Sequence, residues 1–215
     1  MPPSLLHQQQ HRSITQSPLT SLPTPTLLKM SFRIPARRAA VAIRAASQRS
    51  FHTTPRALVR VGDKIPEATG LFENSAANNV SLADEFQTGN GYIIGVPGAF
   101  TGTCSSKHIP SWINHPKIKK VGHVFVVSVN DPFVMKAWAE QLDPAAETGI
   151  RFIADPTAEF TKALDFGFDG AAAILGNTRS MRYALKVEDG KVTEVHVEAD
   201  PTAAEVTLAE KVLKA

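Results

Sequence analysis

The segment Gly91-Tyr-Ile-Ile-Gly-Val-Pro97 is a short apolar run with glycine at one end and proline at the other. A run of this length and composition predicts a buried strand. Residues 121–129, Val-Gly-His-Val-Phe-Val-Val-Ser-Val, form a second run that is rich in β-branched residues and almost continuously apolar. Such a run is typical of a strand covered on both faces of its sheet. The two segments therefore predict the central strands of a buried sheet.

Further predicted elements alternate around these two strands. In chain order they are a helix over residues 104–114, a helix from Asp131-Pro132 to about Leu142, a strand over 151–154, a helix opened by Asp155-Pro156-Thr157, a hairpin of strands 181–187 and 191–197, and a terminal helix over 201–214. In the first helix, Thr103 is the expected N-cap, and Pro110 is expected to kink the helix or end it early. This order predicts an α/β fold with a mixed central sheet flanked by helices.

Most of the positive charge of the chain lies near its amino end. The 215 residues include 23 Lys or Arg and 20 Asp or Glu, which gives a formal net charge of +3. Residues 1–60 hold nine of the basic residues and no acidic one, which leaves residues 61–215 with a net charge of −6. An acidic body without a dense Lys/Arg cluster argues against a nucleic-acid partner. No run approaches the roughly 20 apolar residues of a membrane-spanning helix, so we expect no membrane insertion.

Residues 1–58 are predicted to be a disordered leader, and residues 59–215 a single folded domain. Residues 1–30 are rich in Gln, Ser, Thr and Pro and offer too little apolar surface to order themselves. From Met30 onward the leader combines Arg, Ser and apolar residues with no acid, which is typical of a mitochondrial targeting segment and predicts the matrix as its destination. A basic tail without a targeting role is the alternative.

Two features of this leader bear on where the mature chain begins. Residues 49–54, Arg-Ser-Phe-His-Thr-Thr, resemble the two-step mitochondrial processing pattern, which would start the mature chain near Val59. Initiation at Met30 would shorten the leader and could leave a cytosolic pool of the protein.

Cys104 is the only cysteine of the chain, which excludes an intramolecular disulfide and a metal site built from several cysteines of one chain. It follows the predicted strand at residues 91–97 and is expected to open a helix. A helix N-terminus carries partial positive charge and unpaired amides, which favour the nucleophilic thiolate form of a cysteine. The alternative role for Cys104 is that of an inert, small buried residue.

The residues around Cys104 resemble a known enzyme family. Pro97-x-x-x-Thr101-x-x-Cys104 is the active-site pattern of peroxiredoxins, and the Pro-Gly-Ala-Phe-Thr run at residues 97–101 is similar to the peroxiredoxin-5 (type II) subfamily. Residues 128–138 and 155–157 also look like segments of that subfamily. The resemblance covers roughly residues 59–213, which is nearly the whole predicted domain.

This resemblance implies a thioredoxin-like fold and a thiol peroxidase that reduces hydrogen peroxide and alkyl hydroperoxides without a prosthetic group. The Cys104 thiolate would attack one peroxide oxygen and become a sulfenic acid. The Thr101 hydroxyl and the Cys104 backbone amide would donate hydrogen bonds to the peroxide. Pro97 would shield the thiolate from water. A homodimer is also implied.

The family uses an arginine from a distant strand as well, and residues 179–183, Arg-Ser-Met-Arg-Tyr, offer two candidates. The resemblance selects Arg182, which immediately precedes the aromatic residue, and implies that its charge holds the thiolate and orients the peroxide. Arg179 is the fallback. A solvated strand arginine is the alternative for either residue, and the favoured interpretation of Arg179.

The histidines give weaker signals. His108 lies four residues after Cys104 and could act as a base on the same helical face. A hydrogen-bonded structural histidine is the favoured interpretation, because a thiolate that has already formed needs no base. His115 and His123 have no partner at metal-ligand spacing, so no metal is expected.

The sequence departs from the family pattern in two places. Gly102 stands where many relatives carry proline, which would loosen the loop before Cys104. The chain also lacks a second cysteine, so an external thiol must resolve the sulfenic acid. Glutathione, glutaredoxin, thioredoxin and the Cys104 of another subunit all remain open.

Two other functions are compatible with this sequence. A non-catalytic redox sensor or chaperone would use oxidation of Cys104 to alter its binding to another protein, and turnover with a reductant distinguishes it from a peroxidase. A disulfide reductase is the weaker alternative, since such enzymes normally use Cys-x-x-Cys and the residue three positions after Cys104 is Lys107.

Overall fold

The computed structural model of the chain describes residues 58–214. The predicted leader and its processing site lie outside the described residues, apart from Leu58 at the end of the leader. Of the helices in residues 58–214, none has the length and apolar character needed to span a membrane.

A mixed six-stranded sheet forms the centre of this region. The strands, in chain order, are β1 Phe72–Glu73, β2 Asn90–Val96, β3 His123–Ser128, β4 Ile150–Ala154, β5 Gly167–Phe168, β6 Arg179–Ser180, β7 Tyr183–Glu188 and β8 Lys191–Val197. The sheet has the order β1-β4-β3-β2-β7-β8, and β5 pairs only with β6. Strands β2, β3 and β4 are parallel, whereas β1, β7 and β8 run antiparallel to their neighbours. The predicted central strands and mixed sheet are confirmed.

The helices lie between and after the strands. They are α1 Leu82–Glu85, α2 Ile109–Ile113, α3 Pro132–Leu142, α4 Glu159–Ala163, α5 Ala172–Leu175 and α6 Ala209–Val212, with a π-helical turn at Cys104–His108 and a 3₁₀ turn at Ile118–Lys120. Helix α3 begins where the sequence predicts. The Asp131 side chain accepts hydrogen bonds from the amides of Phe133 and Val134, and Pro132 occupies the first turn, where its missing N–H costs nothing.

Both faces of the sheet are covered by apolar side chains. Neighbouring residues of β2 point to opposite faces, so Ile93 packs in one cluster with Phe125, while Ile94 packs in the other with Trp112 and Trp138. Cys104 belongs to the second cluster. The helix that carries the cysteine is therefore held against the sheet by a continuous core.

The helix around Cys104 differs from its prediction at its start and at Pro110, and it ends at Ile113, close to the predicted end. Helical structure begins at Gly102, and Thr103 has helical backbone angles and makes no capping hydrogen bond through its side chain, so its prediction as the N-cap was wrong. The π-helical turn then runs directly into α2, with the Ile109 amide bonded to the Cys104 carbonyl. Pro110 follows this wider turn, in which the missing proline N–H is accommodated without ending the helix.

The C-terminal region also departs from its prediction. Of the helix expected over residues 201–214, only α6 forms. The preceding residues 198–208, here called the strap, follow an irregular path because side chains bind their backbone groups in place of helical partners. The Glu198 carboxylate, for example, accepts hydrogen bonds from the Glu205 and Thr207 amides. The predicted hairpin is confirmed, with Asp189 and Gly190 both at positive φ in the turn between β7 and β8.

Candidate active site

Cys104 lies at the start of the helix that follows β2, and its side chain is a free, fully buried thiol. Residues 97–104, here called the cysteine loop, run from the end of β2 through the first helical residues to the thiol. The Ala99 amide donates to Oδ1 of Asn130 at 3.0 Å, and the Thr101 hydroxyl donates to the Gly98 carbonyl at 2.9 Å. These bonds fix the loop to the end of β3 and to itself.

Strand pairing brings Arg182 to the cysteine. Gly95 of β2 pairs with Tyr183 of β7, and a Cβ atom at Gly95 would overlap the Tyr183 ring. The glycine therefore lets the ring lie directly against β2, and the preceding residue, Arg182, lies beside the end of β2. Nη1 of Arg182 is 3.3 Å from Sγ of Cys104.

The guanidinium of Arg182 is buried and bonded through all three of its nitrogens. Nε donates to the Ala203 carbonyl at 2.6 Å, Nη2 donates to the Pro201 carbonyl at 3.0 Å, and Nη1 faces both the cysteine and Nδ1 of His108. Among residues 58–214, no carboxylate forms a salt bridge with Arg182. No carboxylate of the described residues therefore competes with Sγ and His108 for the hydrogens of Nη1.

His108 is a fully bonded neutral histidine. Arginine has no acceptor, so Nδ1 of His108 accepts from Arg182 at 3.1 Å, and Nε2 carries the proton and donates to the Thr207 carbonyl at 3.2 Å. Burial and the charge of Arg182 lower the pKa of His108 to about 3. Both ring nitrogens are engaged, which favours the structural role over that of a base.

A pocket of about 290 Å³ opens beside these residues. Its lining residues are Pro97, Thr101, Gly102, Thr103, Phe168, Ala171, Leu175, Arg182, Pro201 and Thr202. Three of the four predicted site residues, Pro97, Thr101 and Arg182, thus share one pocket, and the fourth, Cys104, lies in contact with Arg182. The wall formed by Phe168, Ala171 and Leu175 is apolar, whereas the guanidinium of Arg182 places a positive charge at the pocket.

Arg179 occupies a different place from Arg182. Its Nη1 donates to Oδ1 of Asn130 at 3.2 Å and its Nη2 to the Leu175 carbonyl at 3.1 Å. Only 9% of Arg179 is exposed, so the interpretation as a solvated arginine was wrong. Burial lowers the pKa of Arg179. The residue links the end of α5 to the anchor of the cysteine loop.

Sequence reasoning did not find the groups that orient Arg182. The carbonyls of Pro201 and Ala203 belong to a segment that was predicted to be helical, and backbone carbonyls carry no sequence signal. Glu198 could have been noticed as an acidic residue directly after strand β8, yet nothing in the sequence links it to the backbone of the strap. Among the described residues, no group of three or more His, Cys, Asp or Glu side chains is arranged to hold a metal ion.

The arrangement of a buried thiol, a fixed guanidinium and a pocket can be compared with known proteins. The Redoxin family model matches residues 60–213. The chain belongs to the Redoxin family. It is 43% identical over 159 residues to Peroxisomal membrane associated protein 20 of Schizosaccharomyces pombe, an alignment that covers 73% of this chain and 98% of the relative.

Two further Redoxin relatives carry the name peroxiredoxin or its abbreviation. Peroxiredoxin-2F, mitochondrial, of Arabidopsis thaliana is 43% identical over 143 residues, covering 65% of this chain and 70% of the relative. The crystal structure of reduced Prx3 in complex with hydrogen peroxide from Vibrio vulnificus superposes with a TM-score of 0.64 at 38% identity, covering 73% of this chain and 98% of that one. The predictions of a peroxiredoxin of the type II kind and of a thioredoxin-like fold are confirmed.

Proposed function

We propose that this peroxiredoxin reduces hydroperoxides through the thiolate of Cys104. The thiolate attacks the terminal oxygen of the peroxide, the one that carries the hydrogen, so the S–O bond forms as the O–O bond breaks. Sulfur is oxidised to a sulfenic acid, and the second oxygen leaves as hydroxide or alkoxide and takes a proton from water. The observation that carries the proposal is the 3.3 Å separation between Nη1 of Arg182 and Sγ in a buried site.

Negative charge must be stabilised on both sides of the breaking bond. The charge of Arg182 favours the attacking thiolate. The Thr101 hydroxyl, now bonded to the Gly98 carbonyl, and the Cys104 amide are the donors that we assign to the peroxide oxygens. Pro97 lines the pocket and limits the access of water to the sulfur. The apolar wall of the pocket is compatible with alkyl hydroperoxides as well as hydrogen peroxide.

An external thiol completes the cycle in this proposal, because Cys104 is the only cysteine. The incoming thiol attacks the sulfenic acid, releases water and forms a mixed disulfide, which a second thiol reduces. Glutathione with glutaredoxin, and thioredoxin, are the two reductants that we propose. Steady-state turnover with each, at equal peroxide concentration, identifies the one that this peroxiredoxin uses.

A homodimer is part of the proposal, and an apolar surface supports it. Phe100, Phe133 and Ile174 are 49%, 64% and 85% exposed. These three residues lie close in the chain to members of one hydrogen-bonded network. In that network Asn130 accepts from the Ala99 amide and from Arg179, and Arg179 also donates to the Leu175 carbonyl. Exposed apolar side chains in one region mark an association surface. Sedimentation of the wild type and of an Ile174→Glu variant tests the assignment, with a monomeric wild type contradicting it.

Residues 1–58 are proposed to direct residues 59–215 to the mitochondrial matrix, with a cytosolic pool from initiation at Met30. The Arg-rich, acid-free leader and the mitochondrial relative of Arabidopsis thaliana support this proposal. Fusion of residues 1–58 to a fluorescent protein is expected to give mitochondrial fluorescence, and a fusion of residues 30–58 separates the contributions of the two starts. Peroxisomal or purely cytosolic fluorescence would contradict it.

The activity is tested by stopped-flow tryptophan fluorescence of the reduced protein mixed with hydrogen peroxide. Trp138 is a suitable reporter because its Nε1 donates to Ser105, the residue after the cysteine, at 3.0 Å. We expect a fast second-order phase that the Cys104→Ser variant lacks. A reaction no faster than that of a free thiolate would instead favour the redox sensor or chaperone.

A further inference from the structure

Backbone carbonyls, and not carboxylates, set the direction of the Arg182 guanidinium. The carbonyls of Pro201 and Ala203 accept from Nη2 and Nε at 3.0 and 2.6 Å. With these two nitrogens fixed, the planar group can present only Nη1 to Sγ of Cys104. Both carbonyls belong to the strap of residues 198–208. The geometry of the strap therefore determines where the charge of Arg182 lies.

The strap has little regular structure to hold that geometry. One anchor inside it is Oε1 of Glu198, which accepts from the Glu205 amide at 2.7 Å, the Thr207 amide at 3.0 Å and the Thr207 hydroxyl at 2.8 Å. A shorter turn that Asp200 holds lies within the same segment. The Glu198 residue is only 4% exposed. Burying a carboxylate is costly unless hydrogen bonds compensate it, and here one oxygen gathers three.

Both ends of the strap that Glu198 joins are also connected to Arg182. Its own amide donates to the Arg182 carbonyl at 3.0 Å. At the far end, the Thr207 carbonyl accepts from Nε2 of His108, whose Nδ1 accepts from Nη1 of Arg182. The two carbonyls that grip the guanidinium lie between these fixed points. The side chain of Glu198 thus links the two ends of the strap, which surrounds the guanidinium.

We infer that Glu198 is a positioning residue for the peroxidase reaction, which it serves by fixing the strap carbonyls that aim Nη1 of Arg182 at Cys104. The inference rests on the proposed function of Cys104. Glu198 makes no hydrogen bond to the thiol or to the guanidinium, so it acts through the strap. A displacement of about 1 Å in a charged group that orients the reactants is enough to cost up to about a hundredfold in rate.

The carboxylate could act through its position or through its charge, and two variants separate these effects. Glu198→Gln keeps an oxygen at the same distance from the backbone and removes the charge. Glu198→Asp keeps the charge and withdraws the oxygen by one methylene, which breaks the reach to Glu205 and Thr207. A positioning role predicts that the glutamine variant resembles the wild type and the aspartate variant does not.

Asp143 provides a matched control far from the cysteine in the chain. Its carboxylate also accepts three hydrogen bonds from the turn that follows, from the Glu147 amide, the Thr148 amide and the Thr148 hydroxyl. Asp143→Ala therefore removes the same number of carboxylate bonds in a segment that does not touch Arg182. The rate constant of this variant shows how far a less stable turn, by itself, slows the reaction of Cys104 with hydrogen peroxide.

The experiment compares the full-length wild type with these three variants in two measurements. One is the second-order rate constant of Cys104 with hydrogen peroxide, and the other is the thiolate absorbance at 240 nm at pH 7, relative to Cys104→Ser. For Glu198→Asp we expect a rate constant lower by about tenfold and a smaller thiolate absorbance. For Glu198→Gln and Asp143→Ala we expect rate constants within about threefold of the wild type.

The inference is overturned if a folded Glu198→Asp protein keeps the wild-type rate and absorbance, if Glu198→Gln loses as much as Glu198→Asp, or if Asp143→Ala loses as much. Thermal unfolding of each variant verifies that it is folded. Should Glu198→Asp not fold, Thr207→Val, which removes one of the three bonds, is expected to shift both measurements in the same direction, and unchanged values would overturn the inference. If the wild type reacts with hydrogen peroxide no faster than a free thiol does, the proposed function is refuted instead. The thiolate absorbance of the Glu198 variants still tests whether Glu198 positions Arg182 in that case.

Discussion

The cysteine loop and the strap hold the same site by different means. The cysteine loop, residues 97–104, lines the pocket with Pro97 and Thr101 and carries Cys104, and its members lie within eight positions of the chain. The strap, residues 198–208, presents backbone carbonyls to Arg182 and is anchored by the buried Glu198. The loop therefore carries the chemistry assigned to the peroxide, and the strap fixes the charge assigned to the thiolate. Variants in the two regions should fail in different ways.

The largest expected effect comes from Arg182→Lys, which keeps the charge and removes the planar fork that the strap binds. A lysine ammonium cannot bond two carbonyls, a histidine and the thiolate in this geometry. We expect the rate constant with hydrogen peroxide to fall by about a hundredfold or more, with a smaller thiolate absorbance at 240 nm. A lysine variant within tenfold of the wild type would show that charge alone suffices and that the strap is dispensable.

Thr101→Val is the corresponding test of the cysteine loop. It removes the hydroxyl that we assign to the peroxide and leaves Arg182 and the strap intact. The rate constant is expected to fall by about a hundredfold while the thiolate absorbance stays at the wild-type value. Thr101→Ser, which keeps a hydroxyl, is the control. An equal loss of absorbance in Thr101→Val would erase the distinction between the two regions.

His108 joins the two regions, and it predicts an acid-dependent loss of stability. Burial first, and the charge of Arg182 second, lower the pKa of His108 to about 3, whereas an unfolded histidine titrates near 6.5. Between these values the unfolded state binds the extra proton, so this contribution to stability is complete above pH 6.5 and declines as pH falls toward 3.

Urea unfolding of the wild type and of His108→Gln at several pH values between 4 and 7 measures this contribution. The wild type is expected to lose up to about 1.4 kcal/mol per pH unit more than the variant. Equal slopes in the two proteins would mean that His108 is not held neutral between Arg182 and the strap.

The smallest effect on the reaction is expected from Arg179→Lys, which changes the other arginine of the segment in the same way. Arg179 binds Asn130 and the Leu175 carbonyl and does not reach Cys104 through any hydrogen bond. We expect a rate constant within about threefold of the wild type and a modest loss of thermal stability. A loss comparable to that of Arg182→Lys would return Arg179 to the position of candidate active-site residue.

The parts of this protein that the sequence predicts well are those whose signals are local. The apolar runs of β2 and β3 and the Asp131-Pro132 start of α3 need no distant partner, and each element formed as predicted. The helix predicted over the strap did not form, because the interactions that prevent it come from Glu198, which lies seven residues before Glu205 and nine before Thr207. Strands of two residues, such as β1 and β6, are too short to show a period.

The candidate site divides in the same way. Pro97, Thr101 and Cys104 form a contiguous pattern, and resemblance selected Arg182 over Arg179. The carbonyls of Pro201 and Ala203 meet Arg182 across 19 and 21 residues of the chain, and the tautomer of His108 depends on Thr207, 99 residues away. Side-chain identity can be read along a chain, whereas backbone groups acquire a role only once the chain is folded.

The use of backbone carbonyls to hold Arg182 has a consequence for how this region can change over evolution. Every residue type supplies a carbonyl, so holding the arginine places no demand of its own on the side chains at positions 201 and 203. What cannot drift is the spacing between Glu198 and Thr207. A one-residue deletion there would shift both carbonyls out of register, and it should be tolerated less well than a side-chain substitution at position 201 or 203.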